Sequence, residues 1–207
     1  MSEAGSPKAV VFDIGRVIVR WDLRYLYEKL VDDADQLDWF LANVVTEEWH
    51  HEQDAGRPLA EMVPERIALF PEHADLIRAY ATRFRETYPE HVPGTLELIA
   101  RLKAAQVPLF ALSNFGPDFW DEFIASQPVF EGFRDIVVSG HENVAKPDPA
   151  IFALAEARFG FPPQDLLFID DKAENIAAAV ARGWHGHVFT GAEALEAALL
   201  RLGLLSA

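Results

Sequence analysis

Residues 10–19 read VVFDIGRVIV, an apolar run that carries one carboxylate, Asp13, followed closely by Gly15 and Arg16. Continuous β-branched residues predict a strand buried on both faces, the kind found in parallel sheets covered by helices. A carboxylate is costly inside such a strand, so Asp13 is expected where the strand ends. Three further runs share this character, VPLFALSN, RDIVVSG and DLLFIDD, and GHVF forms a weaker fifth. Helical patterns lie between them. PGTLELIARLKAAQ puts Leu98, Ile99 and Leu102 on one face behind Pro93 and Gly94, and DPAIFALAEARFG does the same with Ile151, Phe152, Leu154 and Ala155 before Gly160. AENIAAAVARG ends on a glycine suited to a left-handed cap. Strands alternating with helices predict an α/β core, a Rossmann-like, doubly wound parallel sheet.

One region breaks the alternation. From about Leu23 to Tyr88 the patterns are helical: LRYLYEKLV, ADQLDWFLANVV, LAEMVPERIALF and HADLIRAYATRFRETY. An insertion of that size after the first strand is expected to form a small helical bundle, a cap, with Trp39 and Phe40 in its interior. The implied division is an α/β core of residues 1–20 and 89–207 and a cap of residues 21–88. Pro64 is expected to split or kink the third pattern. The polar segment EEWHHEQDAGR reads as a loop between cap helices, placed where a closing lid would meet the core.

Half of the 207 residues are hydrophobic, enough for a sizeable core. Cysteine is absent, which removes disulfides, thiol nucleophiles and thiolate metal sites. A formal charge of -15 argues against nucleic-acid partners. No apolar run reaches the roughly 20 residues that span a bilayer, and MSEAGSPK reads as a polar, frayed start, so a cytoplasmic protein without a membrane partner is expected. Neither G-x-G-x-x-G nor G-x-x-x-x-G-K-[ST] occurs, and His50 and His51 fit no zinc pattern.

Polar residues stand where the apolar strands stop: Asp13, Ser113 with Asn114, and Asp170 with Asp171, while Lys146 follows the third core strand in VAKPDP. Each alone reads as a turn former, a helix cap or a solvated lysine. Together they are expected at the carboxyl ends of parallel strands, where open α/β sheets bind ligands. Adjacent carboxylates facing a third repel one another unless a cation joins them, and magnesium suits oxygen ligands and a phosphate.

FDIGRV, LSN, KPDP and FIDDKAENI, in this order and at these separations, resemble the four motifs of the haloacid dehalogenase superfamily, whose members are mostly phosphatases. The helical insertion resembles the cap of its subfamily I, and the resemblance runs from about Val10 to Val188. Within the superfamily the chain is most similar to bacterial sugar-phosphate phosphatases and to relatives whose first motif reads FDxGNV. The resemblance implies a magnesium-dependent phosphatase of a small phosphorylated metabolite. Asp13 would attack phosphorus, Ser113 and Asn114 would bind the phosphoryl oxygens, and Lys146 would neutralise charge and hold Asp13. Asp171 would ligate magnesium directly, with Asp170 through water or behind it, and the Gly15 carbonyl would add a ligand.

Gly15 matches the FDxGNV relatives but departs from the usual phosphatase pattern. Related phosphatases carry there an aspartate that protonates the leaving alcohol, a service worth about 10²–10⁴ in rate. A 2-haloacid dehalogenase, which expels halide without a proton, is therefore an alternative, although its relatives lack the acidic pair and have an aspartate where Asn175 stands. A catalytically weak binding protein is a third. Asp22, His50 and Asp54 are the candidates to replace the acid, and Asp54, His50 and Arg57 the candidates to read substrate. Arg16, where relatives have asparagine, is expected either to meet a substrate anion or to pair with cap carboxylates.

Overall fold

The computed structural model describes residues 5–206; residues 1–4 of the polar start lie outside them. The strands in chain order are β1 (Ala9–Phe12), β2 (Val19–Arg20), β3 (Glu90–His91), β4 (Leu109–Ser113), β5 (Asp135–Val138), β6 (Leu166–Asp170) and β7 (His185–Val188). Five of them form one sheet in the order β5-β4-β1-β6-β7, and every pairing in it is parallel. The chain moves outward from β1 through β4 to β5, then crosses back to lay down β6 and β7, so β1 lies at the switch of direction where such sheets open a crevice.

The sequence patterns follow from these positions. β1, β4 and β6 are fully buried and read as unbroken apolar runs, whereas β7 lies at the sheet edge and alternates half-buried with exposed residues. Successive β1 side chains enter opposite clusters: Val10 and Phe12 on one face, Ala9 and Val11 on the other. The second cluster is closed by Ile151, Phe152 and Trp184. The first runs on without a break into Leu26, Tyr27, Phe40 and Tyr80 of the insertion. The inserted helices therefore share their core with the sheet.

The insertion comprises α1 (Arg24–Tyr27), α2 (Ala34–Asn43), α3 (Glu47–Asp54), α4 (Leu59–Leu69) and α5 (Ala74–Arg83). It leaves and rejoins the sheet region through an antiparallel ribbon that pairs Val19 with His91 and Arg20 with Glu90. Pro64 does not split α4, which runs from Leu59 to Leu69. Packing holds the helix on both sides of it: Met62 is buried, and the Arg66 guanidinium donates to the carbonyls of Asn43 and Val44 at the end of α2. Phe40 is buried as expected, but Trp39 is 48% exposed and lies against the His73 ring.

The segment expected as a loop is helix α3. The Thr46 hydroxyl accepts from the Trp49 N–H at 3.0 Å, and Glu47 and Glu48 place negative charge at the helix N-terminus. Its inward face consists of Trp49, His50, Gln53 and Asp54. That spacing is helical, yet three of the four side chains are polar, so hydropathy gives no period.

The remaining helices are α6 (Thr95–Ala104), α7 (Pro117–Ala125), α8 (Ser139–Glu142), α9 (Pro149–Phe159), α10 (Ala173–Ala181) and α11 (Ala192–Arg201). α10 is followed by Gly183 with φ 95°, the left-handed conformation its sequence predicts, and α9 ends at Gly160 with φ 70°. Among the described residues no helix is long and apolar enough to cross a membrane.

Candidate active site

β1, β4 and β6 end side by side, and their terminal residues frame the site. Asp13 follows β1, its N–H donating to the Ile169 carbonyl of β6 at 2.8 Å. Lys146 reaches between the strands and spends all three ammonium protons: on Asp13 Oδ1 at 2.8 Å, Asp170 Oδ2 at 2.7 Å and the Leu112 carbonyl at 2.9 Å. Burial opposes its charge, but Asp13 and Asp170 outweigh burial and hold the ammonium above its ordinary range. Asn114 fixes the lysine from behind, accepting from the Lys146 N–H at 2.8 Å and donating to its carbonyl at 3.0 Å.

The acidic pair divides its work. Asp170 is fully buried and saturated, accepting from Lys146, from the Lys172 N–H at 2.8 Å, and from Asn175 Nδ2 at 3.0 Å on each oxygen. Asp171 is half-buried and has no hydrogen bond or ion pair among the described residues. One oxygen from each of Asp13, Asp170 and Asp171 lies within 4.8 Å of the others. The strain of that crowding is electrostatic. Burial, aided by Asp170 and Asp171 and opposed by Lys146, pushes Asp13 up to about 7. Burial and Asp170 also raise Asp171, against Arg16 and Lys146.

The turn after Asp13 is closed by the Ile14 carbonyl, which accepts from the N–H groups of Ile18 and Val19 at 2.9 and 3.0 Å; the Gly15 carbonyl takes neither bond. Arg16 adopts φ 59°, in the left-handed region, lies over the Trp21 ring and pairs with Glu47 of α3. Of its two expected partners, it meets the insertion carboxylate. A Cβ at Gly15 would stand 3.9 Å from Trp21 Cβ, an ordinary contact, so no steric demand excludes a side chain there.

A cleft of about 90 Å³ opens in front of these groups. Asp13, Gly15, Asn114, Lys146 and Asp171 line it from the sheet, and Trp21, His50, Asp54, Phe84 and Tyr88 from the opposite side. His50 lies between Trp21, at 4.7 Å, and Phe84, at 5.7 Å, stacked at 25° to each. Its Nδ1 is 2.5 Å from Tyr80 Oη and its Nε2 is 3.3 Å from Asp54 Oδ2. Burial, opposed by Asp54, lowers its pKa, so the ring is neutral at neutral pH; with the Tyr80 hydroxyl donating to Nδ1, the proton belongs on Nε2, facing Asp54. The Ser139 hydroxyl donates to the Asp54 carbonyl and accepts from the Phe115 N–H, fastening the end of α3 to the sheet side. Gly116 permits the same approach, since a Cβ there would fall 1.5 Å from Gln53 Oε1.

The structure thus gathers Asp13, Gly15, Arg16, His50, Asp54, Asn114, Lys146 and Asp171 around one cleft. Asp170 stands behind it. Ser113 is buried at the end of β4, outside the lining, with a long 3.4 Å contact from its hydroxyl to the Asn114 carbonyl. Two candidates lie elsewhere. Asp22 accepts from the Arg24 N–H at 2.8 Å and supports the start of α1, and Arg57 pairs with Glu52 and Glu65 on the insertion surface. Sequence reasoning missed Trp21, Glu47 and Tyr80, which acquire their places through tertiary packing, and it valued Asn175 for what it replaces rather than for its grip on Asp170.

A (S)-2-haloacid dehalogenase of Pseudomonas putida is 32% identical over 47% of this chain, and the match spans 44% of that enzyme, less than half its length. A glyceraldehyde 3-phosphate phosphatase of Methanopyrus kandleri is 25% identical over 81% of this chain and 76% of its own. A haloacid dehalogenase family enzyme of Bacteroides thetaiotaomicron, solved with magnesium and inorganic phosphate, shares the fold with a TM-score of 0.67 at 20% identity, covering 89% of this chain and 95% of that one. The model of the haloacid dehalogenase-like hydrolases matches residues 7–183, and the chain belongs to that family of hydrolases.

Proposed function

We propose that the chain is a magnesium-dependent phosphatase of a small phosphorylated metabolite, acting through an aspartyl-phosphate on Asp13. The observation that carries this reading is the trio of carboxylates with oxygens within 4.8 Å, of which Asp13 Oδ2 and both Asp171 oxygens have no protein partner among the described residues. Such a set repels itself without a cation, and hard oxygen donors fit magnesium. Asp13, Asp171 and the Gly15 carbonyl would hold the ion, which supplies positive charge against the phosphoryl oxygens. The saturated Asp170 orients Lys146 and the turn that carries Asp171.

Lys146 favours the ionised form of Asp13 against its burial and aims the carboxylate. An Asp13 oxygen forms the new bond to phosphorus as the ester bond breaks, and water then cleaves the acyl phosphate, returning Asp13 and releasing phosphate. Lys146 balances the charge that grows on the transferring group. Gly15 offers no acid, so the reaction suits alcohols that leave easily, such as the anomeric hydroxyl of a sugar 1-phosphate. The helical insertion, residues 21–88, serves as the cap that carries the other wall of the cleft over the core of residues 1–20 and 89–207. The relatives named as phosphatases support the reading.

One observation favours a second reading: the absence of an acid at position 15, combined with the relative named as a dehalogenase, suits halide release from a 2-haloacid. Purified protein assayed on sugar phosphates, p-nitrophenyl phosphate and 2-chloropropionate, with magnesium and with chelator, separates the two. Metal-dependent phosphate release that Asp13→Asn abolishes is expected. Chloride release in chelator without phosphate release would replace the first reading by the second, and silence across the panel would favour a binding protein.

A further inference from the structure

The insertion wall carries a carboxylate that the phosphatase reading leaves without work. Asp54 is 5% exposed, lines the cleft, and its Oδ1 has no hydrogen-bond partner. Oδ2 has the neutral His50 Nε2 at 3.3 Å, without a hydrogen bond formed between them, while His51 Nδ1 stands off at 3.9 Å. Of the cations that line the cleft, Arg16 is engaged by Glu47 and Lys146 by Asp13 and Asp170, while Lys172 forms no ion pair with Asp54. A carboxylate offers about four acceptor sites, and one kept from water with most of them empty is a costly arrangement that a ligand donor relieves.

The surroundings hold this group in place. Tyr80, buried, donates to His50 and so fixes the ring tautomer that faces Asp54. Trp21 and Phe84 clamp the ring from both faces, and Ser139 anchors the Asp54 main chain. Preorganisation of this kind suits recognition, because little side-chain freedom remains to be lost on binding.

We propose that the Asp54 carboxylate reads the alcohol half of the substrate, accepting a hydrogen bond from a hydroxyl or amine carried by the leaving group, with His50 and Tyr80 as positioning residues. This inference rests on the phosphatase reading. It assigns the substrate class: a phosphate ester whose alcohol bears a second polar donor, in preference to a plain alkyl phosphate.

The test is inhibition of p-nitrophenyl phosphate hydrolysis by glycerol 3-phosphate, O-phosphoethanolamine and propyl phosphate, which share a phosphate and differ in the donor. The wild-type protein should bind glycerol 3-phosphate or O-phosphoethanolamine at least about tenfold more tightly than propyl phosphate, as a charge-assisted hydrogen bond implies. Whichever compound shows the preference identifies the donor as hydroxyl or amine. In Asp54→Asn that ratio should fall toward one, and Tyr80→Phe, which keeps the ring and removes the donor to His50, should reduce it in part. Equal inhibition by all three in the wild type, or a ratio untouched by Asp54→Asn, would overturn the inference. Failure of the phosphatase reading looks different: no metal-dependent hydrolysis of p-nitrophenyl phosphate at all, which would remove both.

Discussion

The two walls of the cleft are built on opposite principles. At the sheet edge Lys146 and Asp170 have every polar contact filled, and the strand ends fix them; Oδ1 of Asn175, whose amide nitrogen holds Asp170, stays open there. On the insertion wall Asp54 is buried with an oxygen that meets no partner, and Gln53, outside the cleft lining, is likewise unpartnered. A filled network is rigid and expensive to disturb. An unfilled one waits for a ligand. The difference separates a part that performs the same step on any substrate from a part that chooses among substrates, and it predicts different consequences when each is altered.

The largest effect belongs to the filled wall. Lys146→Met strands Asp13 and Asp170 in the interior without their cation, which should cost roughly 3–5 kcal/mol of stability and eliminate turnover. Urea unfolding measures the first; an unchanged midpoint would show that the network is less coupled than its geometry. Next comes the seam between the walls. Gly116→Ala drives a methyl into Gln53, and displacing α3 should cost about 1–3 kcal/mol in thermal unfolding and weaken substrate binding.

Gly15→Asp sharpens the contrast from the other side. The position has room beside Trp21, so the variant should fold and supply the missing acid. The kcat on glycerol 3-phosphate should rise by about tenfold or more, with little change on p-nitrophenyl phosphate, whose leaving group needs no proton. An unchanged kcat on both would mean that protonation does not limit the reaction.

The smallest effect is a difference in metal response with pH. Asp13 is raised to about 7, so between its ordinary value near 3.8 and pH 7 the folded protein keeps a proton that the unfolded chain releases. Without metal this group therefore lowers stability progressively as pH rises through that window, and the full cost stands above it. Magnesium competes with that proton. It should raise the melting temperature by several degrees at pH 8 and by clearly less at pH 5.5, a difference that scanning calorimetry detects; equal shifts at both pH values would remove Asp13 as a ligand.

The core was legible because its strands are buried on both faces. AVVF, LFAL and LLFI are unbroken apolar runs, and the polar residue that follows each, Asp13, Ser113 or Asp170, signals the carboxyl edge. β7 was fainter because one side of an edge strand meets water. The insertion wall escaped for a physical reason: α3 turns His50, Gln53 and Asp54 inward, so the helical period exists in space but not in hydropathy. Capping remained visible there, in Thr46 followed by two glutamates, and would have identified the helix. Tyr80, thirty residues beyond His50, is joined to it by packing alone, and no local pattern announces that contact.

The central claim is that Asp13, held between Lys146 and a cation, bonds to phosphorus. Quenching the protein in acid during turnover of a ³²P-labelled sugar phosphate with magnesium, then digesting it and analysing the peptides by mass spectrometry, tests this directly. The account predicts acid-stable, base-labile label on Asp13 and none in chelator. Label on another residue, or rapid turnover with no labelled protein at any quench time, would contradict it.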